Sequence, residues 1–335
     1  PVCIGSVTVL DLSGQKLRQI DQLSSSEFKH LRELNLNENM LTALGGLNNL
    51  PELRTLRLNR NKIQSLGKLQ MLTSSSSTNS QSGSAKSDKD DSIGKAIDAA
   101  SSVALAAASG VDGGALGPLG LAAMGLISIE ELQLGYNRVT DVQQLNLSGM
   151  TMLRVLVLQG NDISELDGLE NLPGLQELVL DKNRIRCLDC FPLRNCALLR
   201  SLHVEDNGLR RLKNMDAVAF SLETLHLGTN RLNDLQVRLC YLYDAAQPIP
   251  PLLSHRPHSP THTQELDHLA ALGRLHVLTL HKNPVARRQQ YRFAIIHALP
   301  GIHVLDGKEI SAEERERVDL AYMQAPQVYV NEVSG

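Results

Sequence analysis

The chain has 335 residues, a formal net charge of −3 and only 3% aromatic residues, with no Trp. That balance argues against a nucleic-acid footprint, a membrane-surface patch and a base-stacking platform. Its five cysteines (Cys3, Cys187, Cys190, Cys196 and Cys240) are few and odd in number, without the dense end clusters of disulfide-stapled extracellular modules. A reducing compartment is therefore expected.

In chain order, one pattern recurs nine times. It is Leu-x-x-Leu-x-Leu-x-x-Asn-x-Leu, beginning at residues 7, 31, 53, 129, 153, 175, 199, 222 and 275. Leu175-Gln-Glu-Leu178-Val-Leu180-Asp-Lys-Asn183-Arg-Ile185 is a clear copy. Five of the eight intervals are 24 or 22 residues, and one is 23. A self-similar period in this range marks a leucine-rich repeat solenoid, each unit a strand plus a return segment. The predicted fold is an α/β solenoid with a curved parallel sheet on the concave face and short turns or helices on the convex face.

Within a unit, alternation turns Leu178 and Leu180 inward and Glu177, Val179 and Asp181 outward. No unit buries its apolar face alone, so the leucines join only through stacking. The asparagine follows the strand where the chain turns inward, and its amide is expected to satisfy backbone groups of its own and the adjacent turn. Asn39, Asn61, Asn137, Asn161, Asn183, Asn207, Asn230 and Asn283 form that ladder, with Gln15 replacing it in the first copy. Loss of one rung should cost roughly 1–3 kcal/mol. Leu166, Leu169 and Leu172, spaced by three, predict turns or 3₁₀ helix in the return segment.

The chain opens on Pro1 and enters a repeat at once, without a polar capping unit, so further upstream repeats are expected. Two intervals are long, 76 and 53 residues. The Ser-rich and Ala/Gly-rich stretch at about 73–125 and the Pro-rich stretch at about 237–263 are expected to be disordered insertions within a solenoid spanning 1–310. Ala99–Ala108 is too closely bounded by Asp98 and Asp112 to span a bilayer. A C-terminal cap is predicted over 284–323 and a tail over 324–335. In the cap, Phe293, Ile296 and Leu299 have helical spacing, and Ser311-Ala-Glu-Glu314 reads as a capping box opening a helix to about Met323. Tyr291 and Phe293 are read as packing residues.

The run Asn283-Pro-Val, Tyr291-Arg, and Leu299-Pro-Gly-Ile-His-Val-Leu-Asp-Gly307 resembles the cap of cytoplasmic repeat proteins such as the Sds-type phosphatase regulator and the axonemal dynein light chain. Leu222-Glu-Thr-Leu-His-Leu-Gly228, Leu158-Gln-Gly-Asn-Asp-Ile-Ser164 and the unit at Leu175 are similar to the second half of the leucine-rich repeat-containing protein 9 family. The two insertions depart from that pattern. The resemblance implies a cytoplasmic or ciliary interaction protein, so a cytoplasmic location is expected, with the cilium or flagellum as the finer reading.

Outward strand positions should form columns up the concave face. One reads Val9, Glu33, Thr55, Glu131, Val155, Glu177, Ser201, Thr224, Val277, and the next Asp11, Asn35, Arg57, Gln133, Val157, Val179, His203, His226, Thr279. Val155, Val157 and Val179 thus read as an exposed apolar centre, with Tyr136, Gln159, His203 and His226 around it, which is how a protein-binding patch looks. The plainer reading is that valines are good strand formers. Arg32, Arg54, Arg154 and Arg200 share one position and suit either an acidic partner such as a tubulin tail or a solvated margin. Cys187 and Cys190, with Cys196, have the spacing to begin a zinc site, although Cys196 occupies a core position; His203 and His226 side by side are a weak metal signal.

No phosphate-binding glycine loop, nucleophile elbow or zinc-helix motif is present. The expected function is a non-catalytic protein–protein scaffold using its concave face, without cofactor, metal, membrane, nucleic acid or small-molecule substrate. An axonemal or cytoskeletal partner (tubulin or a dynein component) is the first expectation, and regulation of a protein phosphatase the alternative.

Overall fold

The computed structural model describes residues 7–20, 28–64, 127–233 and 269–324, apart from gaps at 43, 45–46, 48–49, 148 and 270–271. The expected insertions, the Ala99–Ala108 stretch, the tail past Gln324, and Cys3 and Cys240 lie outside the described residues.

Every copy of the pattern places a three-residue strand two positions after its first apolar residue. These are β1 (Val9–Asp11), β2 (Glu33–Asn35), β3 (Thr55–Arg57), β4 (Glu131–Gln133), β5 (Val155–Val157), β6 (Glu177–Val179), β8 (Ser201–His203), β10 (Thr224–His226) and β11 (Val277–Thr279). Between them, β7 (Cys187–Asp189) and β9 (Arg211–Lys213) form a separate parallel pair in the return segments. The main sheet ends in β12 (Val304–Leu305), parallel to β11, and β13 (Lys308–Glu309), antiparallel to β12. Register is the same throughout: Leu56 pairs with Leu132, Leu156 with Leu178 and Leu225 with Leu278. The first and third of these pairings join strands on either side of the two long intervals, so the sheet runs on in space. The α/β leucine-rich repeat solenoid expected from the period is the fold observed.

The core explains the strand spacing. Leu175, Leu178, Leu180 and Ile185 are wholly inaccessible, as are their counterparts Leu153, Leu156, Leu158 and Ile163, and all belong to one continuous cluster. Each such side chain contributes about 2 kcal/mol in apolar transfer. The return segments are tight, with 3₁₀ turns at Gln143–Leu145, Phe191–Leu193, Met215–Val218 and Pro284–Arg287. Leu166, Leu169 and Leu172 are buried, in a return segment of turns as their spacing by three predicted.

The asparagines are buried and each bridges two units. Asn183 Nδ2 donates to Leu158 O (3.0 Å) in the unit before and to Leu180 O (2.9 Å) in its own, while its Oδ1 accepts the Ile163 amide (3.1 Å). Asn39, Asn61, Asn137 and Asn161 repeat the arrangement. Gln15 stays exposed and only reaches Ser13 O (3.3 Å), so the ladder starts one unit later. The residue before each rung takes the left-handed conformation, from Glu38 (φ 58) and Tyr136 (φ 54) to Thr229 (φ 56), with Gly160 (φ 70) supplying it freely. For a non-glycine this costs about 1 kcal/mol, and the bonds of the rung hold it there.

Beyond β11, α1 (Tyr291–Ala298) and α2 (Ala312–Gln324) pack on each other. Helical spacing predicted Phe293 as a packing residue, and this is corrected: Phe293 is exposed, and Ile295, Ile296 and Leu299 form the buried face. Ile295 and Leu299 join the leucine core, and on so short a helix that face leaves Phe293 turned outward. Tyr291 does pack against the core, and its hydroxyl donates to Asp306 Oδ2 (3.0 Å). Ser311 Oγ accepts the Glu314 amide (3.1 Å), one half of the capping box, while the Glu314 carboxylate takes Arg292.

Candidate functional site

The strand registers place both outward columns as the alternation requires. In the second, Gln133 lies beside Val157, Val157 beside Val179, Val179 beside His203, and His203 beside His226. Val155, on the same strand as Val157, lies between Glu131 and Glu177. These five predicted residues share one face, and Tyr136 and Gln159 stand at its margin, joined where the Tyr136 amide donates to Gln159 O (2.6 Å). One correction concerns exposure. Val155, Val157 and Val179 are half-buried rather than exposed, because parallel strands bring neighbouring columns against their flanks.

Tyr136 is set by glycine. A Cβ on Gly160 would stand 2.5 Å from Tyr136 Cδ1, so the ring lies directly over a bare backbone. On its other side Arg60 sits 6.0 Å from the ring centroid and is paired with Glu38 (2.7 Å). A cation–aromatic contact at an exposed site adds about 0.5–1 kcal/mol and orients both groups.

His203 and His226 stack with ring centroids 4.3 Å apart, tilted by 22°. Ser201 Oγ meets His203 Nε2 (2.9 Å), and Thr279 Oγ1 meets His226 Nδ1 (3.1 Å) and donates to Glu205 Oε1 (3.1 Å). Two carboxylates accompany these imidazoles: Glu177 stands 4.0 Å from His203 and Glu205 4.0 Å from His226. Both acids belong to the pattern, Glu177 at an outward strand position and Glu205 just past the strand, and aligning copies could have paired them. Among the described residues no group of three or more His, Cys, Asp or Glu is arranged to hold a metal ion.

Burial first, then the neighbouring His203, lowers the His226 pKa below its ordinary 6.5. Glu205 opposes this, and His281 adds to it. The folded state thus binds the proton less readily than the unfolded chain. Stability is therefore full above about pH 6.5 and is lost as pH falls below it. A chemical melt at pH 7.5 and 5.5 should show this loss, and His226→Asn should lose less. Asp181 lies near the pair, and burial raises its pKa above the ordinary 3.8.

The other candidates resolve into ordinary packing. Cys190 and Cys196 are core residues; burial pushes the Cys190 thiol far up and that of Cys196 up to about 11. Cys187 is half-buried on β7. The arginine row lies along the flank of the sheet. Arg32 faces Glu52 (3.7 Å), Arg54 and Arg154 share Glu130 (2.8 and 3.7 Å), and Arg200 faces Glu223 (4.0 Å). Exposed pairs like these contribute little stability.

No helix among the described residues is long and apolar enough to cross a membrane. Leucine-rich repeat models match residues 5–63 and 127–185, and another matches 200–327. The U2 small nuclear ribonucleoprotein A′ of Schizosaccharomyces pombe is 30% identical over 138 residues, 39% of this chain and 55% of that protein. Leucine-rich repeat-containing protein 23 of Xenopus tropicalis is 31% identical over 171 residues, 50% of this chain and 46% of that protein. The chain spans about half the length of these curated relatives. Among solved structures, a TLR13–ssRNA13 complex aligns with a TM-score of 0.55 at 19% identity, covering 89% of this chain and 35% of that one, a likeness of fold alone. Strand register, asparagine ladder and matched models agree: the chain belongs to the leucine-rich repeat proteins.

Proposed function

We propose that this chain is a non-catalytic scaffold that holds a protein partner on its concave face at Tyr136, Val155, Val157, Gln159, Val179, His203 and His226. The observation that carries the reading is the run Val157, Val179, His203, His226 on four adjacent strands, an apolar centre passing into hydrogen-bonding groups. Interfaces combine these features. An axonemal or cytoskeletal partner in the cytoplasm or cilium is the finer reading, supported by the resemblance of the C-terminal segment to dynein light chain and phosphatase-regulator caps. That same resemblance supports the alternative, a phosphatase regulatory subunit. By its name the fission-yeast relative belongs to a small nuclear particle, so a nuclear partner is a further outcome to distinguish.

Affinity capture of the full chain from cells, repeated with Val157→Glu, tests the site. The variant should lose the partner while keeping the wild-type circular dichroism spectrum, because a carboxylate replaces the middle of the apolar run. A partner retained by the folded variant would remove this face from consideration. Loss of a phosphatase catalytic subunit would favour the alternative over tubulin or dynein components.

A further inference from the structure

The concave columns leave unused a cluster of arginines on the opposite turn of the units. Arg184, Arg186, Arg210 and Arg231, with Asn207 and Gly208, line a pocket of about 230 Å³. Three features of the repeat build it. Arg184, Gly208 and Arg231 occupy the same position in three successive units, just after the asparagine rung. The middle one has no side chain, and a Cβ there would meet nothing within 4 Å, so an open slot separates two guanidinium-bearing positions. Behind it, pairing of β7 with β9 sets Arg186 beside Arg210, whose amide donates to Arg186 O (2.8 Å).

The backbone at the slot also departs from the repeat. Elsewhere the amide at this position donates to a carbonyl one unit back, as Arg138 does to Ile63, Asp162 to Val139, Arg184 to Ile163 and Arg231 to Leu209. Gly208, at φ 84, makes no such bond among the described residues, and it is one of the residues lining the pocket. Of the four arginines only Arg184 has an ion-pair partner among the described residues, Asp162 at 2.7 Å. Four guanidiniums against one carboxylate leave an excess of positive charge, of which a dianion neutralises twice as much as a single carboxylate ligand would.

We propose that this pocket is an anion site that takes the phosphate of a phosphorylated serine or threonine on a protein partner. Planar guanidinium forks match phosphate oxygens in pairs, which a lysine cluster would not do. A slot one residue wide between stacked units suits one phosphate-bearing side chain. An RNA strand needs a continuous track with stacking platforms, and no aromatic residue lines the pocket. The site is separate from the concave face, so the two can be lost independently.

The test uses the full chain and two probes, the peptide Gly-Gly-phosphoserine-Gly-Gly and its unphosphorylated form, by titration calorimetry at constant ionic strength. The phosphorylated peptide should bind about tenfold more tightly or better, the scale of charge-assisted recognition. The double variant Arg186→Gln/Arg210→Gln, checked for an unchanged circular dichroism spectrum, should abolish that difference, while Val157→Glu should leave it intact. Equal binding of both peptides, or a preference that survives the double variant, overturns the proposal. So does a mixed-sequence single-stranded RNA that outcompetes the phosphopeptide at this site and is lost in the same variant.

Discussion

Asn183→Ala should lower the free energy of unfolding by about 3 kcal/mol, the upper end of what orphaned buried polar groups cost. The amide of Asn183 is the hydrogen-bond partner of Leu158 O, Leu180 O and the Ile163 amide, and removing it leaves two carbonyls and one donor in a region that water does not reach. Because the rung joins two units, the loss falls on the interface between them, and in a solenoid such interfaces carry the cooperativity. Denaturant melts should therefore show a broadened transition as well as an earlier midpoint. Asn183→Asp would keep the acceptor for Ile163 but turn both donors into lone pairs facing carbonyls, and should be at least as damaging. An alanine variant that melts with the wild type would contradict the role given to the ladder. Gln15→Asn, in the exposed first copy, should change little.

Strand placement and register were legible because two periods coincide, the alternation within a strand and the 22–24-residue spacing between units. Together they allow only one set of neighbours for Leu178 or Val179. What escaped was set by details that periodicity does not encode. The half-burial of Val155, Val157 and Val179 depends on the side chains flanking them. The pairing of β7 with β9 depends on two consecutive units having an extended segment at the same place, Arg186-Cys-Leu-Asp189 and Arg210-Arg-Leu-Lys213. The arginine pocket was hidden by a net charge close to zero, which averages over the chain and says nothing of position. Reading position by position, Arg184, Gly208 and Arg231 align without structural help. Phe293 was misplaced for a different reason: α1 is eight residues long, and over so short a span a three-residue spacing fits either face.

Arg292→Ala should destabilise the C-terminal segment by about 2 kcal/mol, with charge-assisted hydrogen bonds as the lost term and partial exposure reducing it. The guanidinium, on α1, forms a two-pronged pair with Glu314 on α2, Nε to Oε1 at 2.6 Å and Nη2 to Oε2 at 2.9 Å. It also donates to Leu305 O (3.3 Å) and Glu309 O (3.0 Å), tying the β12–β13 hairpin to both helices. One side chain thus joins three elements at the end of the sheet where Leu278 pairs with Leu305. Amide exchange in α2 and β13 should quicken in the variant while exchange around Asn137 and Asn161 stays as in the wild type. Arg292→Lys should recover less than half of the loss, because an ammonium cannot reach four acceptors in the fork's geometry. The pair also sets a pH signature. Hydrogen bonding from Arg292 lowers the Glu314 pKa below its ordinary 4.5, so its contribution is present above that pH and is lost as pH falls through the folded value. The gap in stability between wild type and Arg292→Ala should accordingly be widest near neutral pH and narrow as pH falls from 4.5 through the folded value. A gap that stayed constant into the acid range would mean that Arg292 acts through packing of its aliphatic stem and not through Glu314.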